Sequence, residues 1–264
     1  MVRPSAQHFY AATLKLLSMA RVPLLVGGAF ALKHYAGIAR DTKDLDVFIR
    51  RRDLDRALQV LEASGYATEL CFPHWLAKTY SSAAGSGERH FVDFIFNSAN
   101  GLCPVDDDWF KNAPRCTLWG ASVLLCPIEE MIWTKSFVME RERFDGADIY
   151  HLLEARGETI NWPRLLARFG DQWRVLYGHL VFYSFVYPGR RNAVPANVMR
   201  ALNARIEREG HSEAVKVCRG TILSREQYLV DVGERGYEDA RSAPWGPVSE
   251  DDIALWTEAI GRES

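Results

Sequence analysis

The chain has 264 residues, 48% of them hydrophobic and 12% aromatic, which is enough for the core of one large domain or two ordinary ones. Lys and Arg number 32 against 34 Asp and Glu, and the net charge of −2 excludes a global basic field for nucleic acid or anionic membranes. Because the N-terminus lacks a secretory signal pattern and no apolar run approaches a membrane span, we expect a cytoplasmic protein without a membrane partner. Five scattered cysteines without a Cys-x-x-Cys pair indicate reduced thiols.

The first part of the chain alternates helix and strand patterns. Apolar spacing predicts helices at 5–20, 29–36 and 53–63. Runs of β-forming residues predict strands at 24–26, 45–49, 66–70, 78–82, 90–96 and 122–126, with a turn at 81–87.

From Pro127 onward the patterns favour helix. Helices are predicted at 128–143, 146–155, 162–169, 172–187, 197–209, 224–234 and 251–260, with a surface loop at 236–250. The change in character predicts an α/β (α+β) protein with a mixed N-terminal domain at residues 1–126 and an all-helical C-terminal domain at residues 127–264.

Three carboxylates lie on predicted strands of the N-terminal domain. Asp44 and Asp46 are separated by one residue at the start of a strand, so their side chains project from the same face. Asp93 interrupts the apolar run 91–96, where a charge is costly to bury without a partner. Hard cations such as Mg²⁺ bind through a few carboxylates together with substrate phosphates. The three carboxylates are therefore candidate metal ligands, although a solvated strand end would also explain Asp44 and Asp46.

A glycine pair precedes these carboxylates. Gly27 and Gly28 end a strand and open a helix, where glycine permits a tight turn and the helix N-terminus offers N–H groups to a phosphate. Arg40 and Thr42 follow in a polar stretch, where they are candidates to contact phosphate or fix the loop. A glycine pair at such a place is also common as simple turn chemistry, so the pair alone establishes no site.

The order of these residues resembles the nucleotidyltransferase signature of the DNA polymerase β-like superfamily. The resemblance rests on the segments 27–32 and 40–48, and on 92–95, which matches the third carboxylate strand. The pattern is most similar to the branch that contains antibiotic nucleotidyltransferases and the nucleotidyltransferase toxins of abortive-infection systems. It implies a polymerase β-like domain, with a small mixed sheet flanked by helices, followed by the helical domain.

The resemblance also implies roles for single residues. Asp44, Asp46 and Asp93 become catalytic residues that hold two divalent ions, Mg²⁺ or Mn²⁺, with Asp93 serving also as the base. Gly27 and Gly28 become the phosphate-binding turn. In the commonest form of the signature a Ser follows the first glycine. Gly28 stands there in this chain, so a side-chain hydroxyl for the phosphate is missing.

A fainter similarity continues into the helical region. Lys135 and the segment 139–149 are similar to a Lys, Arg and Asp-x-x-Asp pattern of the toxin branch, which implies that Lys135 and Asp148 assist nucleotide binding. The simpler alternative is that residues 140–143 form a solvated helix face and that Asp145 is an N-cap.

These patterns together predict a metal-dependent transferase. An acceptor hydroxyl or amine would attack a nucleoside triphosphate such as ATP, take the nucleoside monophosphate and release pyrophosphate. The acceptor is left open between a small molecule, a tRNA and a protein. Two alternatives of another kind are a catalytically silent nucleotide-binding module and an interaction protein of the toxin–antitoxin type on the same fold.

Overall fold

The computed structural model describes residues 4–81, 90–209 and 216–260, which fall into two compact units, Met1–Pro127 and Ile128–Ser264. The predicted division into domains at residues 1–126 and 127–264 stays a prediction. Most of the turn predicted at 81–87 lies outside the described residues.

The first unit alternates helices and strands. In chain order its elements are α1 (Pro4–Met19), β1 (Leu25–Val26), α2 (Gly28–Ala36), β2 (Asp44–Phe48), α3 (Arg51–Ala63), β3 (Ala67–Phe72), β4 (Leu76–Tyr80), β5 (Phe91–Ile95), α4 (Asp107–Lys111), β6 (Arg115–Leu118) and β7 (Ala121–Leu124).

Five of these strands form one mixed sheet in the order β1-β2-β5-β4-β3. The central pair, β2 and β5, is parallel, whereas the other neighbours are antiparallel. The remaining strands, β6 and β7, form an antiparallel hairpin, and Leu125 at its end makes a parallel bridge with Val26 of β1.

The two faces of the central strands have different neighbours. Leu45 and Val47 on β2, with Val92 and Phe94 on β5, are fully buried in the core of this unit, which also includes buried side chains of α1 and α3. Because side chains alternate along a strand, the intervening residues of β2 and β5 point to the opposite face. Apolar alternation therefore decides which side of the sheet carries the candidate site.

The second unit is mainly helical. Its helices are α5 (Ile128–Lys135), α6 (Gly146–Arg156), α7 (Trp162–Phe169), α8 (Trp173–Val186), α9 (Ala196–Arg208), α10 (Leu229–Gly233) and α11 (Glu250–Glu258). Short 3₁₀ helices lie at Gly157–Thr159, Gly170–Gln172, Pro188–Ala193 and Arg219–Ile222. The prediction of an all-helical domain misses one small parallel pair, β8 (Val217–Cys218) with β9 (Glu238–Asp239).

The helix predicted at 128–143 is wrong in its second half. Helix α5 ends at Lys135, and a tight turn follows in which the Glu140 N–H donates to the Arg143 carbonyl at 2.9 Å. Met139 and Phe144 form an antiparallel bridge across this turn. Residues 140–143 fit a helix pattern, but the local turn and a tertiary hydrogen bond from the Met139 N–H to the Leu223 carbonyl at 3.0 Å override their helical propensity.

Buried ion pairs connect α5 to α7. Glu130 is fully buried and accepts from both Arg164 and Arg168, with a distance of 2.9 Å to Arg168. Arg164 also donates to Glu129 at 2.7 Å. Since removing one partner would leave a buried charge unpaired, this network fixes the packing of the two helices.

Two predictions concern the whole chain. All five cysteines are free thiols, as their spacing suggested. Among the residues that the structure describes, no helix is both long and apolar enough to cross a membrane.

Candidate active site

Three carboxylates come together on the face of the central sheet opposite the core. The parallel register of β2 and β5 places Asp46 directly opposite Asp93, and Asp44 lies two residues before Asp46 on the same face. One carboxylate oxygen from each of Asp44, Asp46 and Asp93 lies within 4.8 Å of the others. Asp44 and Asp46 are half-buried and Asp93 is buried. Three hard oxygen donors at this spacing fit a divalent cation, which would neutralise their mutual repulsion.

The negative charge of the three carboxylates affects the pKa of a neighbouring side chain, Tyr10. The hydroxyl of Tyr10 donates to the Lys43 carbonyl at 2.9 Å, next to the carboxylate strand. Burial raises the pKa of Tyr10, and the charges of Asp44, Asp93 and Asp46 raise it further. Tyr10 therefore lies within the electrostatic reach of the three carboxylates.

Thr42 is tied to the first carboxylate. Its hydroxyl lies 2.5 Å from Asp44 Oδ1 and 3.2 Å from the Asp44 carbonyl. This contact orients the Asp44 side chain from the loop that precedes β2. Arg40 lies exposed in the same loop. The predicted nucleotide contacts of Arg40 and Thr42 stay predictions.

The glycine turn fits closely against the carboxylate strand. The Gly27 N–H donates to the Asp46 carbonyl at 2.9 Å, and Gly27 caps α2. A Cβ at Gly27 would lie 2.3 Å from the Phe48 ring. Gly28 has φ of +52°, and a Cβ there would lie 1.7 Å from Asp46 Oδ2. The N-terminus of α2 can therefore approach Asp46 only because neither residue carries a side chain.

One cation at the site was not predicted from the sequence. Lys78 of β4 stands opposite Asp93 in the antiparallel register, and its Nζ lies 3.1 Å from Asp93 Oδ1. The predicted strand at 78–82 includes Lys78, and alternation alone could have placed it on one face. Its pairing with Asp93 depends on the order β5-β4 in the sheet, which local patterns do not encode.

The second unit holds the remaining predicted residues. Lys135 Nζ lies 2.9 Å from Asp145 Oδ2 and 2.8 Å from Asp148 Oδ2, and all three side chains are largely buried. Burial alone would raise the pKa of Asp145, but Lys135 and Arg143 outweigh burial and lower it. Asp145 is the N-cap residue of α6 by position, yet its side chain makes no capping hydrogen bond. The nucleotide-binding roles of Lys135 and Asp148 stay predictions.

Comparison with known families adds to this geometry. Residues 13–175 match a family described as uncharacterised nucleotidyltransferase, and this span is more than half of the chain. The chain belongs to this nucleotidyltransferase family. The resemblance inferred from the glycine turn and the carboxylate strands is confirmed, and the protein is an enzyme of the nucleotidyltransferase class. No curated protein matches the chain.

Several solved structures are similar to this nucleotidyltransferase. The antibiotic-resistance factor ANT(2'')-Ia in solution is 18% identical, with 66% of this chain and 96% of that chain covered and a TM-score of 0.44. The lincomycin-bound lincosamide antibiotic adenylyltransferase LnuA is 17% identical, with 57% and 96% covered and a TM-score of 0.39. JHP933 from Helicobacter pylori is 16% identical, with 78% and 97% covered and a TM-score of 0.37.

The predicted α/β class of this nucleotidyltransferase is confirmed by its five-stranded mixed sheet and flanking helices, together with the family match. The matched span includes the glycine turn and the three carboxylates. A divalent cation is therefore consistent both with the enzyme class and with the oxygen donors that β2 and β5 present.

Proposed function

We propose that this enzyme transfers a nucleoside monophosphate from a nucleoside triphosphate to an acceptor hydroxyl or amine, with divalent cations held by Asp44, Asp46 and Asp93. The observation that carries the proposal is the convergence of one oxygen from each carboxylate within 4.8 Å, on the face of the sheet opposite the core. In a protein that only serves as a scaffold, three adjacent carboxylates would repel one another and destabilise the fold without any benefit. A cation site gives them a function.

Residues around the three carboxylates are proposed to bind the nucleotide. Gly27 and Gly28 bring the N-terminus of α2 against Asp46, so its N–H groups and positive dipole end are available to the phosphates of the nucleotide. Thr42 orients Asp44 through its 2.5 Å contact. Arg40, Lys135 and Asp148 are proposed as further nucleotide contacts on the strength of the motif resemblance.

In the reaction, the acceptor oxygen or nitrogen forms a bond to the α-phosphorus while the bond from that phosphorus to the bridging oxygen breaks. Pyrophosphate leaves with the bond electrons, and Asp93 receives the proton of the acceptor. Two bound ions, Mg²⁺ or Mn²⁺, would stabilise the attacking and leaving oxygens. The acceptor is proposed to be a small molecule, a tRNA or a protein, and ATP is one candidate nucleotide.

The test measures transfer of a labelled nucleotide. The full chain is incubated with each α-labelled nucleoside triphosphate, MgCl₂ and fractionated cell extract, and label is followed into macromolecules and small molecules. We expect incorporation that requires Mg²⁺ and falls by orders of magnitude in Asp46→Asn and Asp93→Asn. Both variants should fold, because the substitution keeps the side-chain shape and relieves carboxylate repulsion.

Asp55→Asn is a matched control. Asp55 lies on α3 with a side chain 72% exposed, so the same loss of charge there should leave transfer unchanged. Unchanged transfer in Asp46→Asn and Asp93→Asn would contradict the proposal. Metal-dependent binding of triphosphates without any transfer would instead support the silent nucleotide-binding alternative.

A further inference from the structure

Lys78 occupies a defined position beside the carboxylates. On β4 it lies between Asp93 of β5 on one side and Glu69 of β3 on the other, because both are its direct cross-strand partners. The row across the sheet is therefore Asp46, Asp93, Lys78 and Glu69. Directly opposed side chains on antiparallel strands lie within contact distance, so Lys78 has a carboxylate within reach on each side.

In the structure the ammonium is engaged with Asp93. Lys78 Nζ lies 3.1 Å from Asp93 Oδ1, and the two side chains are 24% and 13% exposed. The same ammonium lies 4.2 Å from the centroid of the Phe91 ring, at a distance typical of a cation–π contact. Phe91 precedes Asp93 by two residues on the same face of β5, so the strand that carries Asp93 holds the ammonium at two points.

Glu69 offers a second acceptor for this ammonium. Its Oε2 accepts a hydrogen bond from the Tyr80 hydroxyl at 2.5 Å, which keeps the carboxylate on the same side of the sheet. The pKa of the Cys71 thiol is raised to about 11, mainly by burial; the charges of Glu69 and Asp93 also raise it, and that of Lys78 lowers it. The charges of Glu69, Lys78 and Asp93 are therefore close enough to interact with one another.

We propose that Lys78 is a positioning residue that holds Asp93 in the metal-free enzyme and transfers its ion pair to Glu69 when a divalent cation binds the three carboxylates. The inference rests on the proposed function, since it requires that Asp44, Asp46 and Asp93 bind a cation. A carboxylate shared between an ammonium and a dication brings two like charges together. Movement of the flexible ammonium to Glu69 relieves that repulsion.

The repulsion can be estimated from the contact. A bond from the cation to a carboxylate oxygen is about 2.1 Å long, so an ammonium that stayed on Asp93 would lie roughly 5 Å from the cation. Even in water-like surroundings, a unit charge at roughly that distance weakens binding of a dication on the order of tenfold. Removing the charge of Lys78 should therefore tighten cation binding while it deprives Asp93 of its partner.

The test is a double-mutant cycle on the affinity of the nucleotide-free full chain for Mn²⁺, measured by isothermal titration calorimetry. We expect Lys78→Met to bind Mn²⁺ a few-fold more tightly, short of the roughly tenfold estimated for an ammonium that stays on Asp93, and Lys78→Arg to stay near wild type. Glu69→Gln should bind several-fold more weakly, because the displaced ammonium loses its second acceptor. In the Lys78→Met background, Glu69→Gln should have almost no further effect.

Two outcomes would overturn this inference while wild-type binding persists. One is an unchanged affinity in Lys78→Met, and the other is an equal effect of Glu69→Gln in both backgrounds, which simple long-range attraction would produce. Lys111→Met is the matched control, because Lys111 is 71% exposed and pairs with Asp108 on α4. If Lys78→Met fails to fold, Lys78→Gln completes the same cycle. A wild-type chain that binds no divalent cation would overturn both the inference and the proposed function.

Discussion

Adding one methyl group at Gly28 should damage both the stability of the fold and the cation site. The residue has φ of +52°, in the left-handed region where a side chain costs about 1–2 kcal/mol. The added Cβ would also lie 1.7 Å from Asp46 Oδ2, 2.6 Å from its Cγ and 3.0 Å from its Cβ. Asp46 must therefore leave its side-chain position, at a further cost of about 0.5–1.5 kcal/mol for a strained rotamer.

Gly37→Ala separates these two costs. Gly37 ends α2 with φ of +72° and has nothing within 4 Å of the Cβ that would be added. The Gly37→Ala variant therefore reports the cost of left-handed strain alone. We expect the free energy of unfolding to fall by only about 1 kcal/mol, because alanine also restricts the unfolded chain, which offsets part of that strain. For Gly28→Ala in the metal-free protein we expect the free energy of unfolding to fall by about 2–3 kcal/mol. Gly28→Ser should be at least as damaging, although it restores the residue that is commoner in the signature.

The assay compares the free energy of unfolding in urea, followed by tryptophan fluorescence, for wild type and the two alanine variants. Mn²⁺ affinity is measured on the same samples. We expect Gly28→Ala to bind Mn²⁺ at least about tenfold more weakly, since one of the three proposed ligands is displaced, and Gly37→Ala to bind normally. If the two variants lose equal stability and bind Mn²⁺ equally, the contact between Gly28 and Asp46 does not constrain the site.

Two further predictions concern the helical unit. Lys135→Ala should lower the free energy of unfolding by about 3 kcal/mol, because Asp148 would stay buried without Lys135, whereas Asp145 keeps its ion pair with Arg143. Urea melts test this, and a loss below about 1 kcal/mol would contradict it. Burial lowers the pKa of His179, which outweighs the opposite effect of the Ser136 carbonyl 3.0 Å away. Because the folded state then binds fewer protons than the unfolded state, stability should fall as pH drops below about 6.5, and thermal melts of His179→Gln should lack this part of the decline.

The sequence predicted which carboxylates come together where they lie on strongly patterned strands. Alternation of Asp44, Leu45, Asp46 and Val47 fixes which side chains face the core, so the shared face of the two carboxylates followed directly. Asp93 stood out because an ionised residue inside an apolar run needs a partner. These local signals also place the glycine pair between a strand and a helix.

Contacts that depend on the order of strands in the sheet could not be predicted from the sequence. Lys78 meets Asp93 only because β4 returns antiparallel beside β5, and a pattern along one strand does not reveal its neighbour. The end of α5 was missed for a related reason. The run after Lys135 has helical composition, but the bridge between Met139 and Phe144 closes a turn there instead.

The parallel pairing of β2 with β5 has a consequence for folding fidelity. A shift of either strand by one residue would turn its carboxylates into the core and expose Leu45 and Val47, or Val92 and Phe94, to water. Burying unpaired carboxylates there costs several kcal/mol each, so a misaligned sheet is much less stable than the native one. The charges of the candidate site thus also favour the native register of the sheet, because that register keeps them out of the core.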